Sequence, residues 1–301
     1  MVAVASPFAR DQRIRLRDGR SLGYAEYGVP AGKPVFFFHG IPGSRLSWHT
    51  DPSLATSLGV RLIAPERPGY GLSDFQPGRT LLDWPDDVLA LADALGLARF
   101  AVVGVSGGGP YAAACAFKIP HRLTAAAIVS GGAPLDAPAA VAGMSRLRRI
   151  SIALVLKVPW LVHQVARWEA WRTARAVRRN AERFLDRRAA RAPAPDRAIL
   201  ARPDIRALFI ENYAEAYRAG LRGHAWDIVV FMRPWGFRLE DIAVPVHLWH
   251  GGKDQTTPLS MGQYMASAIP RCRAHFLPEE GHLLRFNRWE EILSALASEP
   301  G

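Results

Sequence analysis

The chain has 301 residues, 49% of them hydrophobic, which suits one α/β core carrying an insertion and argues against a disordered or low-complexity chain. Its two cysteines, Cys115 and Cys272, lie far apart without C-x-x-C spacing, so neither a zinc site nor a disulfide framework is indicated. The formal net charge of +11 resides in one segment: residues 146–222 hold 18 basic and 7 acidic side chains, while the flanks carry +2 and −2.

In chain order, residues 1–10 lack a basic stretch followed by a long apolar one, so no secretory signal is expected. Ile14–Leu16 and Leu22–Tyr27 flank an Asp18-Gly19 pair and read as a β-hairpin. Val35–Phe38 is an unbroken apolar run, the pattern of a parallel strand buried on both faces. It ends in His39-Gly40-Ile41-Pro42-Gly43-Ser44. Val60–Pro65 is a second such strand and runs into Glu66-Arg67-Pro68-Gly69-Tyr70-Gly71. Thr80–Leu95 repeats its apolar residues near the helical period, and Gly96 supplies a stop. Phe100–Val103 is a strand leading into Gly104-Val105-Ser106-Gly107-Gly108-Gly109 and a helix to about Phe117. Leu123–Val129 is the next strand. This alternation predicts a mostly parallel sheet with helices on both faces.

The rhythm then stops. From about Asp136 to Gly223 the chain is helix-prone and basic, with a break at Ala192-Pro193-Ala194-Pro195. We therefore expect residues 1–136 and 225–301 to form the core and 137–224 a helical cap. The basic block reads as a solvated arginine-rich surface, with no nucleic-acid partner expected. The longest apolar run, Ile152–Val165, contains Lys157 and Pro159 and is too short to span a bilayer, so no stable membrane insertion and a cytoplasmic location are expected. The alternation resumes with a strand at Val244–His250, a helix at Met261–Ala268, a strand at Arg273–Leu277 and a closing helix at Trp289–Ala297.

Gly104-Val105-Ser106-Gly107-Gly108 matches G-x-S-x-G between a strand and a helix, the context in which a serine is lifted on a tight, strained turn. A phosphate-binding glycine loop is the rival reading; no Walker lysine follows, and G-x-G-x-x-G spacing is not met. Serine is a weak nucleophile without a base. Among nine histidines, His282 follows the last strand in Glu279-Glu280-Gly281-His282 and is the candidate. His39 and His250, both at strand ends and followed by glycine, read as structural or loop residues. Asp254, at the end of the penultimate strand, is the candidate orienting acid. Asp136 is its rival. An acyl-transfer site also needs donors for a developing oxyanion. The N–H of Gly107 is one; in His39-Gly40-Ile41-Pro42 the proline has no N–H, which leaves Ile41 as the other.

With those residues in place, the sequence resembles the α/β-hydrolase superfamily, in its lid-bearing serine-hydrolase branch of esterase-like and proline-iminopeptidase-like enzymes. HGIPGS at 39–44, ERPGYGLSD at 66–74, GVSGGG at 104–109, HGGKD at 250–254 and EGH at 280–282 carry the likeness. It implies an eight-stranded sheet, a Ser106–His282–Asp254 triad, an oxyanion hole at Ile41 and Gly107 supported by His39, Gly40, Gly104 and Gly108, and no metal or other cofactor. Glu66 stands where members usually carry Asp, and the HGGPG loop of iminopeptidases is absent. Ser106 argues against the aspartate nucleophile of haloalkane dehalogenases and epoxide hydrolases.

The expected activity is cleavage of a small or medium ester through an acyl-enzyme. Thioester, amide or carbon–carbon bond hydrolysis or acyl transfer by the same residues is the alternative, and a non-catalytic ligand-binding protein is the alternative of another class. Leu156, Trp160, Trp168, Trp226 and Phe231 are candidate apolar lining of the acyl pocket. Arg172, Arg175, Arg178, Arg179 and Arg183 are expected to face solvent rather than to line an entrance.

Overall fold

The computed structural model describes residues 9–48, 51 and 53–299; the side chains of Ala9, Arg10, Val155, Leu156 and Pro159 also lie outside that description. The N-terminal stretch considered as a leader, His49 and the Leu156 side chain therefore fall outside it. In chain order the elements are β1 (Ala9–Arg15), β2 (Ser21–Gly28), β3 (Lys33–Phe38), α1 (Ser53–Ser57), β4 (Val60–Pro65), α2 (Trp84–Ala94), β5 (Phe100–Val105), α3 (Gly109–Lys118) and β6 (Leu123–Val129). Six helices follow: α4 (Arg146–Leu156), α5 (Pro159–Arg179), α6 (Ala181–Arg191), α7 (Ala194–Leu200), α8 (Pro203–Ala216) and α9 (Arg222–Met232). The chain closes with β7 (Val246–Gly251), α10 (Leu259–Ala268), β8 (Cys272–Leu277) and α11 (Arg285–Ser298).

The eight strands form one sheet in the order β1-β2-β4-β3-β5-β6-β7-β8. β2 pairs antiparallel with β1 and with β4, and every other pairing is parallel. Side chains alternate across a strand, so a strand covered on both faces must be apolar throughout. β3 meets that demand: Phe36 and Phe38 join Trp84, Val102 and Leu248 in the layer under α2 and α3, while Val35 and Phe37 join Trp249, Trp289 and Leu293 in the layer under α11. A separate apolar cluster on α5–α8 packs against Leu283 and Phe286.

β3, β5, β6, β7 and β8 all run the same way, so their C-terminal ends open on one edge of the sheet, where an open α/β sheet places its ligand crevice. Ser106 follows β5, Gly40 and Ile41 follow β3, Asp254 follows β7 and His282 follows β8.

Candidate active site

Ser106 has φ +54°, one of two non-glycine residues with positive φ among the described residues. That conformation costs an L-residue energy, so the surroundings must hold it. They do so by close approach. A Cβ on Gly104 would stand 2.2 Å from the Gly108 carbonyl oxygen, and one on Gly108 would stand 2.2 Å from that of Phe38. Only glycine fits at either position, which is the physical content of the motif.

The chain reversal brings three distant residues together. Ser106 Oγ lies 2.9 Å from His282 Nε2, and His282 Nδ1 lies 2.7 Å from Asp254 Oδ2. Asp254 is further satisfied by the N–H groups of Thr256 (2.8 Å) and Thr257 (2.9 Å) on Oδ1 and by the Thr257 hydroxyl (2.7 Å) on Oδ2. Burial alone would raise the Asp254 carboxyl, but His282, His250 and the Thr257 hydroxyl outweigh it and hold the group below the usual carboxylate range. Asp254 is therefore an anion aimed at Nδ1, which leaves Nε2 free to accept from the serine. Asp136 makes no such contact; it lies at a separate surface cavity with Leu135 and Arg146.

The loop after β3 is the second wall. A Cβ on Gly107 would stand 2.4 Å from the Ile41 side chain, and one on Gly40 would stand 3.5 Å from Ser106 Cβ. Arg67 fixes the loop's backbone, donating to the carbonyls of His39 (2.5 Å) and Gly40 (2.9 Å). His39 is fully buried and accepts from the Arg67 N–H (3.3 Å). Burial, then the Arg67 charge, pushes the His39 imidazole well down, so it stays neutral and structural. His250 is likewise buried, pushed down by burial, with Nε2 2.8 Å from the Thr257 carbonyl oxygen.

The family described as the alpha/beta hydrolase fold matches residues 33–288. The chain belongs to the α/β-hydrolase family. Among curated proteins it is 38% identical to a non-heme chloroperoxidase of Streptomyces lividans over 125 residues, 40% of this chain and 45% of that one. It is 34% identical to an epoxide hydrolase of Caballeronia sordidicola over 111 residues, 36% of this chain and 33% of that one. These curated relatives are thus matched over less than half their length. Among solved structures, an alpha/beta hydrolase fold protein from Nakamurella multipartita superposes with a TM-score of 0.70 at 22% identity, covering 97% of this chain and 100% of that one. A thermophilic esterase from Thermogutta terrifontis gives 0.66 at 24%, covering 95% and 96%.

The α/β-hydrolase chain carries further site residues that its sequence did not single out. Asp196 of α7 accepts the backbone N–H of His282 (3.0 Å) and of Leu283 (2.8 Å), so an inserted helix clamps the histidine loop. Asn212 of α8 accepts the N–H of Ser44 (2.8 Å) and so holds the far end of the β3 loop. Asp227 of α9 binds Arg67 and Arg79 and accepts from the hydroxyls of Tyr70 (3.0 Å) and Tyr111 (2.7 Å). Burial would raise that carboxyl; the two guanidiniums outweigh burial and keep it ionised, well below the usual range.

The cavity beside Ser106 measures about 340 Å³ and includes Ile41, Phe184, Arg188, Phe209, His282 and Arg285 in its lining. The expected apolar lining differs. Trp160 and Trp168 are 67% and 55% exposed, and Trp168 and Trp226 line a separate aromatic groove with Trp171 and Phe75. Phe231 packs over Gly132 instead. Helix α5 carries large apolar side chains on an exposed face (Trp168, Trp171) as well as apolar residues on its buried one (Val162, Ala166), and periodicity does not tell which face meets the serine. Among the described residues no helix is long and apolar enough to cross a membrane, and no cluster of metal-ligating side chains occurs.

Proposed function

We propose that the protein hydrolyses a small carboxylic ester through an acyl-enzyme. The observation that carries this reading is the hydrogen-bonded series Asp254–His282–Ser106, at 2.7 and 2.9 Å, on a strained turn beside the β3 loop. Ser106 Oγ attacks the ester carbonyl while His282 Nε2 takes its proton. The N–H groups of Gly107 and Ile41 hold the developing oxyanion. The proton then passes from Nε2 to the leaving alkoxide, which departs as the alcohol. Water, deprotonated by the same Nε2, cleaves the acyl-enzyme to the acid and restores the serine. Asp254 stabilises the imidazolium at both steps and stays ionised. Ser106, His282 and the attacking water carry every proton transferred in these steps. Residues 137–224 act as the cap, since α6 and α8 contribute Phe184, Arg188 and Phe209 to the cavity wall.

A fluorophosphonate reagent tests this reading. It is expected to add once, at Ser106, with ester turnover lost in step. Ser106→Ala is expected to remove labelling and to lower kcat by about 10⁵- to 10⁶-fold, as loss of a nucleophilic serine does elsewhere. Retained labelling or turnover in that variant would overturn the assignment.

A further inference from the structure

A buried cation in an active-site wall requires an account, because taking a charge out of water costs several kcal/mol unless it is paired. Arg285, at the start of α11, is 5% exposed and lines the same cavity as Ser106 and His282. Its Nη1 donates to the carbonyls of Ser47 (2.7 Å) and Trp48 (2.8 Å). It has no carboxylate partner among the described residues. Its Nε and Nη2 donate to nothing described, and neither is a sealed, unsatisfied donor. Phe286 and Phe37 stack on the guanidinium, at 4.1 and 6.0 Å.

A second arginine faces the same space. Arg188 of α6 lines the cavity, bonds the Tyr213 hydroxyl and lies over the Phe209 ring at 5.2 Å, again with no acidic partner among the described residues. The two guanidiniums are close enough for Arg188 to depress Arg285, second only to burial; at about 9, Arg285 nonetheless stays protonated near neutral pH. Among the described residues no Asp or Glu lines this cavity. The adjoining cavity, of about 550 Å³, shares Arg188, Phe184, His282 and Leu283 with it and adds Arg172, Arg187 and Arg191. The one acid among its described lining residues, Asp196, is occupied by the N–H groups of His282 and Leu283. The path to the serine is thus basic from the outside inwards.

Building on the ester-hydrolase reading, we infer that the substrate carries a carboxylate, held by the Nε–Nη2 edge of Arg285 with Arg188 beside it, while its ester carbonyl lies at Ser106. That edge presents two parallel N–H donors, the fork that one carboxylate satisfies in bidentate fashion. The cavity, about 340 Å³, opens into the adjoining one through shared walls, so a small substrate fits beside Ser106 with its charged end at Arg285. A monoester of a short dicarboxylic acid has that charge. Its hydrolysis releases a free dicarboxylate, and the reaction generating the substrate esterifies one end of a diacid, opens a cyclic anhydride with an alcohol or hydrolyses one end of a diester.

The test compares monomethyl glutarate with methyl butyrate and dimethyl glutarate. For the parent protein kcat/KM is expected to favour the monoanion by about 10- to 100-fold, the range of a charge-assisted pair. Arg188→Gln and Arg285→Gln are each expected to bring that ratio towards one. If Arg285→Gln fails to fold, Arg188→Gln and a second measurement still decide. In the Ser106→Ala protein, which cannot turn over, glutarate is expected to raise the Tm and Arg188→Gln added to it to abolish the rise. Equal rates on charged and neutral esters, with no rise in Tm, would overturn the anionic subsite while leaving ester hydrolysis intact. Protection by inorganic phosphate but not by glutarate would overturn the carboxylate assignment. A rise in Tm with glutarate but no turnover of any ester would instead sink the hydrolase reading and leave the subsite standing.

Discussion

Two pairs of arginines flank the serine, and they are held in opposite ways. Arg67 and Arg79 share the Asp227 carboxylate, with the Tyr70 and Tyr111 hydroxyls completing its shell. Arg188 and Arg285 share no carboxylate among the described residues; they rest on backbone carbonyls, one phenol and aromatic faces. The first pair sits on the core side, and its Arg67 grips the backbone of the β3 loop through the carbonyls of His39 and Gly40. The second lines the space a substrate would enter. A neutralised buried charge maintains geometry, whereas an unneutralised one facing a cavity awaits a partner. Charge count alone would treat the four alike.

The largest expected effect belongs to a third arrangement, in which the buried carboxylate Asp254 faces a histidine that becomes charged only during reaction. Asp254→Asn is expected to keep the fold and lower kcat on the order of 10⁴-fold by favouring the wrong tautomer of His282. A variant with near-parental kcat, while Asp136→Asn proved damaging, would move the orienting acid to the loop after β6.

Next in size is the contrast in stability between the two pairs. Asp227→Asn strands two guanidiniums that are almost wholly buried, and is expected to cost about 3–5 kcal/mol of unfolding free energy. Arg285→Met removes a charge that no carboxylate among the described residues neutralises, and the two carbonyl bonds lost offset the desolvation recovered. Its change is expected to stay within about 1.5 kcal/mol. Denaturant unfolding of both variants measures the difference directly. Equal losses would mean that Arg285 is as structural as Arg67, and the comparison would fail.

These contrasts separate what was legible in the sequence from what was not. The eight strands, the helix-only stretch and the Ser106, Asp254 and His282 positions follow from local signals: unbroken apolar runs, glycines at forced close approaches and polar residues at strand ends. Asp227, Arg67 and Arg79 become one cluster only because α9 packs beside the β3 and β4 loops; the ion pairs join residues more than a hundred positions apart, and no local pattern encodes them. Arg285 was hidden for another reason. Within Leu283-Leu284-Arg285-Phe286 no motif or spacing marks the cation, and the closing helix was expected to begin at Trp289 rather than Arg285. Asp196 lay in an Ala-Pro stretch that signalled only a break. Of the five arginines expected to face solvent, Arg172 lines the outer cavity, and its companions there are Arg187, Arg188 and Arg191. The helical period places Arg188 inward, next to Leu185, which is fully buried.

A smaller effect concerns His224, which lines the cavity together with His282. Burial pushes His224 down to about 4 from 6.5, with Nδ1 bonded to the Tyr217 hydroxyl at 2.8 Å. The unfolded chain takes a proton there below pH 6.5, the folded chain only near 4. Its contribution is therefore full above 6.5 and falls away as pH drops through that window, by about 3 kcal/mol at most. Glu66, raised by burial against the pull of Arg45, acts in the opposite sense, so the parent-minus-variant difference is the quantity to follow. The Tm difference between parent and His224→Asn is expected to shrink between pH 7 and pH 4.5. A difference constant with pH would show that His224 is not held neutral.

The smallest expected effect tests whether a paired carboxylate in the inserted helices does for His282 what Asp227 does for the β3 loop. Asp196 is 4% exposed, and a Cβ on Gly281 would stand 2.4 Å from its carboxylate, so helix α7 and the histidine loop fit without slack. Asp196→Ala leaves the His282 and Leu283 N–H groups without their acceptors, a loss of about 1–3 kcal/mol for each buried donor left unmade. Part of that is recovered as water enters and the loop relaxes, and the relaxation moves the imbalance onto the Ser106–His282 distance. The expected result is a fall in kcat of about 10- to 100-fold with KM little changed, since a misplaced base hinders attack more than binding. Fluorophosphonate labelling of Ser106 should slow by a similar factor. Asp196→Asn can accept from only one of the two N–H groups and turns an N–H donor toward the other, so it should fall between parent and alanine variant. A rise in KM with unchanged kcat would instead place Asp196 among the residues that shape the cavity and free His282 from dependence on it.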